Sequence, residues 1–291
     1  MHFSRRRIPS RSRLAGFAAI LAGPLAVALP AAAGTVILTP DRDNTLIQYS
    51  GTGAQLSNGR GDLFVGRTNQ DGSGATTATS IRRGLVRFDI AGAVPAGSTI
   101  TSVALAMREI QGNNGDQTVS LHRVTRDWGE GTSFFNGGQG VPATVGDATW
   151  VYATLTGTSP ALAGTPWSTP GGDYVGTASG SVVVSTAAGA GQTFTWSSAT
   201  NPGLVTDVQA WLDASATNFG WIMIGNEAQG LTSKRFNSRE STLSPNVLPA
   251  LTITFVPEPG SAATLLGGVA VIVVRLAWVG AWRMRPDVPR G

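Results

Sequence analysis

The chain has 291 residues, with 21 Lys+Arg against 17 Asp+Glu for a formal net charge of +4, and no cysteine. The missing cysteine excludes disulfide bracing and thiol chemistry. The positive balance is not a nucleic-acid footprint, because nine of the basic residues lie in two terminal segments; residues 34–255 keep 12 basic and 15 acidic groups, net −3.

In chain order, Arg5, Arg6, Arg7, Arg11 and Arg13 make a positive leader before the apolar run Leu14 to Leu29, and Ala31-Ala32-Ala33 offers an Ala-x-Ala site before Gly34. This pattern predicts a secretory signal peptide over 1–33, cut by signal peptidase at Ala31 and Ala33. The body, 34–255, is long enough for one large domain with its own core.

Short β-type runs then alternate with turn clusters. Strands are expected at Thr35–Leu38, Thr45–Gln48 and Asp62–Gly66, with a turn over Pro40–Asn44. In Gly84–Ile90, the residues Val86, Phe88 and Ile90 alternate with Leu85, Arg87 and Asp89. Val103, Leu105 and Met107 do the same between Ile100 and Glu109, and this period of two marks half-buried strands. Gln117–Thr125 and Thr193–Trp196 follow, separated by a Gly/Ser/Thr-rich stretch in which Thr154 to Gly191 is expected to be loop over the sandwich ends.

One soluble helix is predicted after Asn201 as cap and Pro202 in the first turn, with Leu204, Val208, Trp211 and Leu212 at helical spacing. Phe219–Gly225 and Leu251–Phe255 close the domain as strands, with the polar segment Ser233–Glu240 between them. The fold class expected is all-β: an antiparallel β-sandwich, jelly-roll-like, with one short helix.

The tail over 256–291 reads Pro257-Glu258-Pro259, an apolar run from Ser261 to Trp282, then Arg283 and Arg285. As a helix the run would extend roughly 33 Å, enough to span a bilayer with the arginines on the cytoplasmic side. Arg275 interrupts it, which suits a temporary hold more than a permanent anchor.

Residues for catalysis are scarce. His122 is the one histidine of the body, and no Gly-x-Ser-x-Gly elbow accompanies it, so no enzyme activity and no catalytic residue are expected. Asp41, Asp43, Asp127, Glu130 and Asp173 sit in or beside turns, where they either cap turns or coordinate a structural calcium ion. Trp128, Trp167 and Tyr174 lie in glycine- and proline-rich loops, where each either stacks on a sugar ring or anchors its loop. Arg82 and Arg83, or Lys234, Arg235 and Arg239, either meet an acidic polysaccharide or guard an edge strand. Trp196, Trp211 and Trp221 fit strand or helix periodicity and are expected to be buried.

Two resemblances extend this reading. Pro257-Glu258-Pro259 before an apolar span and terminal arginines resembles the PEP-CTERM sorting signal of Gram-negative bacteria. That resemblance implies export, transient inner-membrane anchoring and processing by an exosortase. The order of Arg83–Ile90, Pro95–Ile100, His122–Glu130, Asp207–Leu212, Asn218–Ile222 and Lys234–Glu240 resembles the DNRLRE-domain family of surface proteins over nearly all of 34–255. The naming hexapeptide is absent; Asp43–Gln48 and Ser238–Glu240 are partial echoes. This second resemblance implies an extracellular, non-catalytic module associated with carbohydrate or adhesion, with polysaccharide as partner and no nucleic acid. A self-assembling structural protein is the alternative expectation, and a polysaccharide-degrading enzyme the lesser one.

Overall fold

The computed structural model describes residues 32–49, 55–69, 80–112, 115–185, 191–241 and 247–258. The predicted signal peptide up to Ala31 and the tail from Pro259 onward, with its apolar run, lie outside the described residues. Among the described residues no helix is long and apolar enough to cross a membrane.

The chain is mostly antiparallel β-sheet with a single short α-helix among the described residues. The early strands are β1 (Gly34–Leu38), β2 (Arg42–Ile47), β3 (Leu56–Ser57), β4 (Leu63–Arg67) and β5 (Ile81–Arg87). The long β6 (Thr99–Gly112) and β7 (Gln117–Arg123) follow, then β8 (Val141–Pro142), β9 (Tyr152–Gly157) and β10 (Ala163–Pro166). β11 (Gly180–Val184), β12 (Gln192–Ser197), α1 (Gly203–Asp213), β13 (Trp221–Ile224), β14 (Lys234–Phe236) and β15 (Ala250–Val256) complete the order.

β6 organises the first layer. β12 runs along one side of it, and β15 and then β14 run along the other; β1 adds to β15 in the register Gly34 to Phe255. The second layer runs β11, β7, β13, β5, with β2 on the far side of β5. β4 belongs to both, pairing β14 through Leu63–Val65 and β5 through Gly66–Arg67. Gly66 sits at that change of partner with φ +109°, and a Cβ there would lie 2.9 Å from the Thr232 carbonyl oxygen, so the crossing requires glycine.

The layers share one core. Val103, Leu105, Met107, Trp196, Leu251 and Ile253 meet Val86, Val119, Leu121, Trp221 and Met223, with Leu204, Val208 and Trp211 from α1. The Trp196 indole N–H donates to the Val119 carbonyl at 3.0 Å, joining the first layer to the second. Trp196, Trp211 and Trp221 are buried, as their spacing predicts.

The second layer is buried on its other face too. Consecutive residues Leu85 and Val86 point to opposite faces, yet both are fully buried, as are Trp221 and Ile222. Leu46, Leu85 and Ile222 are covered by Val124, Trp128, Ala148, Ala153 and Trp167 from the excursion after β7.

Four local expectations are corrected. The stretch 154–191 contains β9, β10 and β11 rather than only loop; its short apolar runs are diluted by Ser, Thr and Gly. The turn expected at Pro40–Asn44 gives way to β2 from Arg42. The polar Lys234–Phe236 is an interior strand between β4 and β6, not a charged edge. Asn201 does not cap α1, because Pro202 holds that position and the Asn201 side-chain oxygen Oδ1 accepts from the Ser181 N–H at 2.9 Å.

Candidate functional site

Trp128 and Trp167 are 1% and 4% exposed, so neither indole is a platform for a sugar ring. Trp128 donates its ring N–H to the Phe219 carbonyl and Trp167 to that of Thr149, both at 2.8 Å. The physical reason is the covered sheet face: an excursion that folds onto it needs large apolar anchors whose polar tips find partners. Tyr174 is half-buried, bridges Val124, and carries the Arg83 guanidinium 5.5 Å from its ring centroid and the His122 ring edge at 5.4 Å. It also lines a polar groove of about 600 Å3 with Arg126, Ser168 and Asp173.

The calcium candidates separate into two groups. Asp41 pairs with Arg87, Asp127 with Arg42 at 2.7 Å, and Asp173 with Arg126 at 2.6 Å. Asp173 also accepts the Ser168 and Thr169 N–H groups at 2.9 and 3.1 Å, so it closes a loop. These three carboxylates are engaged separately and do not converge on an ion.

Asp43 and Glu130 do converge, and Glu240 joins them: one carboxylate oxygen from each lies within 4.8 Å of the others. Asp43 is fully buried on β2. Its N–H donates to Glu130 Oε1 at 3.0 Å, and its Oδ2 accepts the Arg239 N–H at 2.7 Å. The Arg239 guanidinium grips Glu130 through Nε at 2.7 Å and Nη2 at 2.6 Å, and its Nε also lies 2.8 Å from Glu240. Burial, then the neighbouring Glu240 charge, pushes the Asp43 carboxyl well above the usual range, against the lowering pull of the Arg239 N–H. Burial likewise raises Glu240. Glu240 escapes a search for acidic turns because it follows β14 in a mixed-charge run, and only folding brings it to β2.

The five basic candidates form no free patch among the described residues. Arg82 and Lys234 are fully buried, Arg83 pairs with Glu227, Arg235 with Asp62 and Arg239 with Glu130. An interior β14 leaves no role for edge-guarding charge.

A groove of about 400 Å3 opens beside β4, β6 and β14. Phe64, Phe135 and Leu231 supply its apolar wall, while Gln111, Asn136 and Arg235 bring planar polar groups. Arg235 is held in place: its guanidinium bonds Asp62 at 2.8 and 2.5 Å and Asn136 at 2.6 Å, and it stacks 5.4 Å from the Phe64 ring centroid. Phe134 and Phe135 are 63% and 36% exposed, the aromatics that the loop leaves in solvent. The adjoining residues Gly137, Gly138 and Gly140 hide this patch from any period-based reading.

His122 sits on β7 with Nδ1 2.9 Å from the Val175 carbonyl, which fixes a proton on that nitrogen, and Nε2 3.1 Å from the Ser120 hydroxyl. The same hydroxyl lies 3.2 Å from the Ile224 carbonyl. Ring and hydroxyl thus tie β7 to β13 and to the returning excursion. No protein-family model and no curated protein matches the chain.

Proposed function

We propose that the chain is an exported, non-catalytic surface module that binds polysaccharide in the groove beside Phe135. The observation that carries this reading is the pairing of an exposed aromatic with fixed planar polar side chains. Phe135 offers a face to the apolar side of a pyranose ring, and Gln111, Asn136 and Arg235 reach hydroxyls at its edge. Arg235 is already oriented by Asp62, which lowers the ordering cost of binding.

The two layers are assigned a jelly-roll-like sandwich. Export by signal peptidase cleavage after Ala33, and exosortase processing at Pro257, Glu258 and Pro259 after transient inner-membrane anchoring, complete the proposal. Pro257 follows β15 directly, so the motif begins where the sheet ends.

Affinity electrophoresis of the exported protein through gels containing neutral or acidic polysaccharides tests the binding half. Retardation that Phe135→Ala abolishes is expected; unretarded migration across the whole panel would end this reading. A second reading, self-assembly, draws on the outer strands: Ile37 on β1 is 70% exposed and Val183 on β11 is 56% exposed. Concentration-dependent light scattering that Ile37→Lys reduces would favour assembly over sugar binding.

A further inference from the structure

We propose that Asp43, Glu130 and Glu240, together with Ser238, form a binding site for one divalent cation of the calcium type. The proposal does not depend on the groove at Phe135.

Three features of the cluster lead there. The first is convergence from three distant parts of the chain: β2, the excursion after β7, and the segment after β14 bring their carboxylate oxygens within 4.8 Å. Glu130 is held through both oxygens, but the bonds to the other two carboxylates use one oxygen and spare the second. Asp43 accepts through Oδ2 and leaves Oδ1 without a partner, and Glu240 meets Arg239 through Oε1 and leaves Oε2 without one.

The second is the set of buried oxygens beside the carboxylates. Ser238 is 1% exposed, its hydroxyl has no hydrogen-bond partner, and it lines a cavity of about 140 Å3 with Glu240 and Ser241. The Ser241 hydroxyl is likewise unpartnered. Buried polar atoms in native proteins are almost always satisfied, by protein, water or ion. Glu240 and the two serines with orphaned hydroxyls line this small cavity, and the orphaned Asp43 oxygen belongs to the carboxylate cluster that Glu240 shares; the set fits an ion with its waters.

The third is charge and donor type. Three carboxylates face one buried-side cation, Arg239, which already serves Glu130 and Glu240. Arg60 lines the same cavity but is exposed, and Asp62 there is neutralised by Arg235. The remaining deficit of two charges matches a divalent ion. Every donor is oxygen, which selects a hard cation over zinc, and Glu130 and Glu240, on irregular backbone beside the strand residue Asp43, tolerate the variable geometry of calcium better than the strict octahedron of magnesium. A bound ion would lock β2, the excursion and the β14–β15 connection together.

The test uses the full chain, purified in mild detergent and stripped with chelator. Calorimetric titration with calcium chloride is expected to give one saturable site per chain, with a calcium-dependent rise in melting temperature and a weaker response to magnesium. Glu240→Gln, which keeps the side-chain shape, should weaken binding at least tenfold. Ser238→Ala, too small a change to prevent folding, should weaken it measurably. No heat and no melting shift up to about 10 mM calcium, beyond the weakest extracellular sites, overturns the proposal. So does calcium binding by Glu240→Gln at wild-type strength. Asp43→Asn and Glu240→Gln that each raise the melting temperature without any calcium response would identify a proton shared by the two acids instead. An equal or stronger magnesium response overturns the calcium assignment.

Discussion

The Trp221 indole N–H donates to Oδ2 of Asp207 across 2.8 Å, linking α1 to the middle of the second layer. The Ser179 hydroxyl donates to the same oxygen, and Arg123 lies 3.5 Å from the other. The Trp211 ring packs edge-on to Trp221 at 4.7 Å between centroids. Asp207→Ala leaves a fully buried indole N–H without an acceptor. A loss of about 3 kcal/mol in unfolding free energy is expected, measured by urea denaturation with tryptophan fluorescence. A loss below about 1 kcal/mol would show that water replaces the carboxylate.

Trp128 and Trp167 hold the excursion on the outer face of the second layer. Trp128→Ala should therefore cost about 3–5 kcal/mol through the cavity it leaves, and expose the loop to limited proteolysis. If either indole were a sugar platform, the same substitution would leave stability unchanged and remove binding.

Asp173 sets a pH dependence whose sign follows from its surroundings. Burial raises its carboxyl, but the Ser168 N–H, Arg126 and the Thr169 N–H outweigh it, and the folded value is lowered. The group therefore adds stability above the ordinary aspartate value of about 3.9, and this is lost as pH falls through the lower folded value. Melting curves of the wild type and Asp173→Asn should converge as the pH drops below about 4. A gap that stays constant to the lowest pH would contradict the role of charge.

Phe135→Ala should remove polysaccharide retardation while changing unfolding free energy by about 1 kcal/mol or less, because the ring is partly exposed. Phe134→Ala, on the neighbouring cavity of Arg60 and Glu240, is the control. Equal loss of retardation from both would move the binding site off the Phe135 groove.

The strands that alternate strongly were legible from residue order. Ile100–Glu109 maps onto β6, and Trp196, Trp211 and Trp221 are core residues as expected. Harder to read were elements whose surroundings are unlike either pure pattern. β5 and β13 bury both faces, so Leu85 and Ile222 look like the solvent side of an alternating strand until the excursion covers them. For Trp128 and Trp167 the sequence left sugar stacking and loop anchoring both open, because glycine- and proline-rich composition describes the backbone and not what lies beneath the ring; burial decides for anchoring. Glu240 needed the pairing of β14 with β4 and β6, which no local signal in Lys234–Glu240 announces.

The pairing of β1 with β15 also has a temporal meaning. Gly34 lies opposite Phe255, so the first strand of the domain finds its neighbour only after about 220 further residues have been made. At about 5–20 residues per second, β1 waits on the order of tens of seconds with its ladder unmade. The domain closes last where it began, and its two ends finish side by side, with Ala33 beside the strand that runs into Pro257.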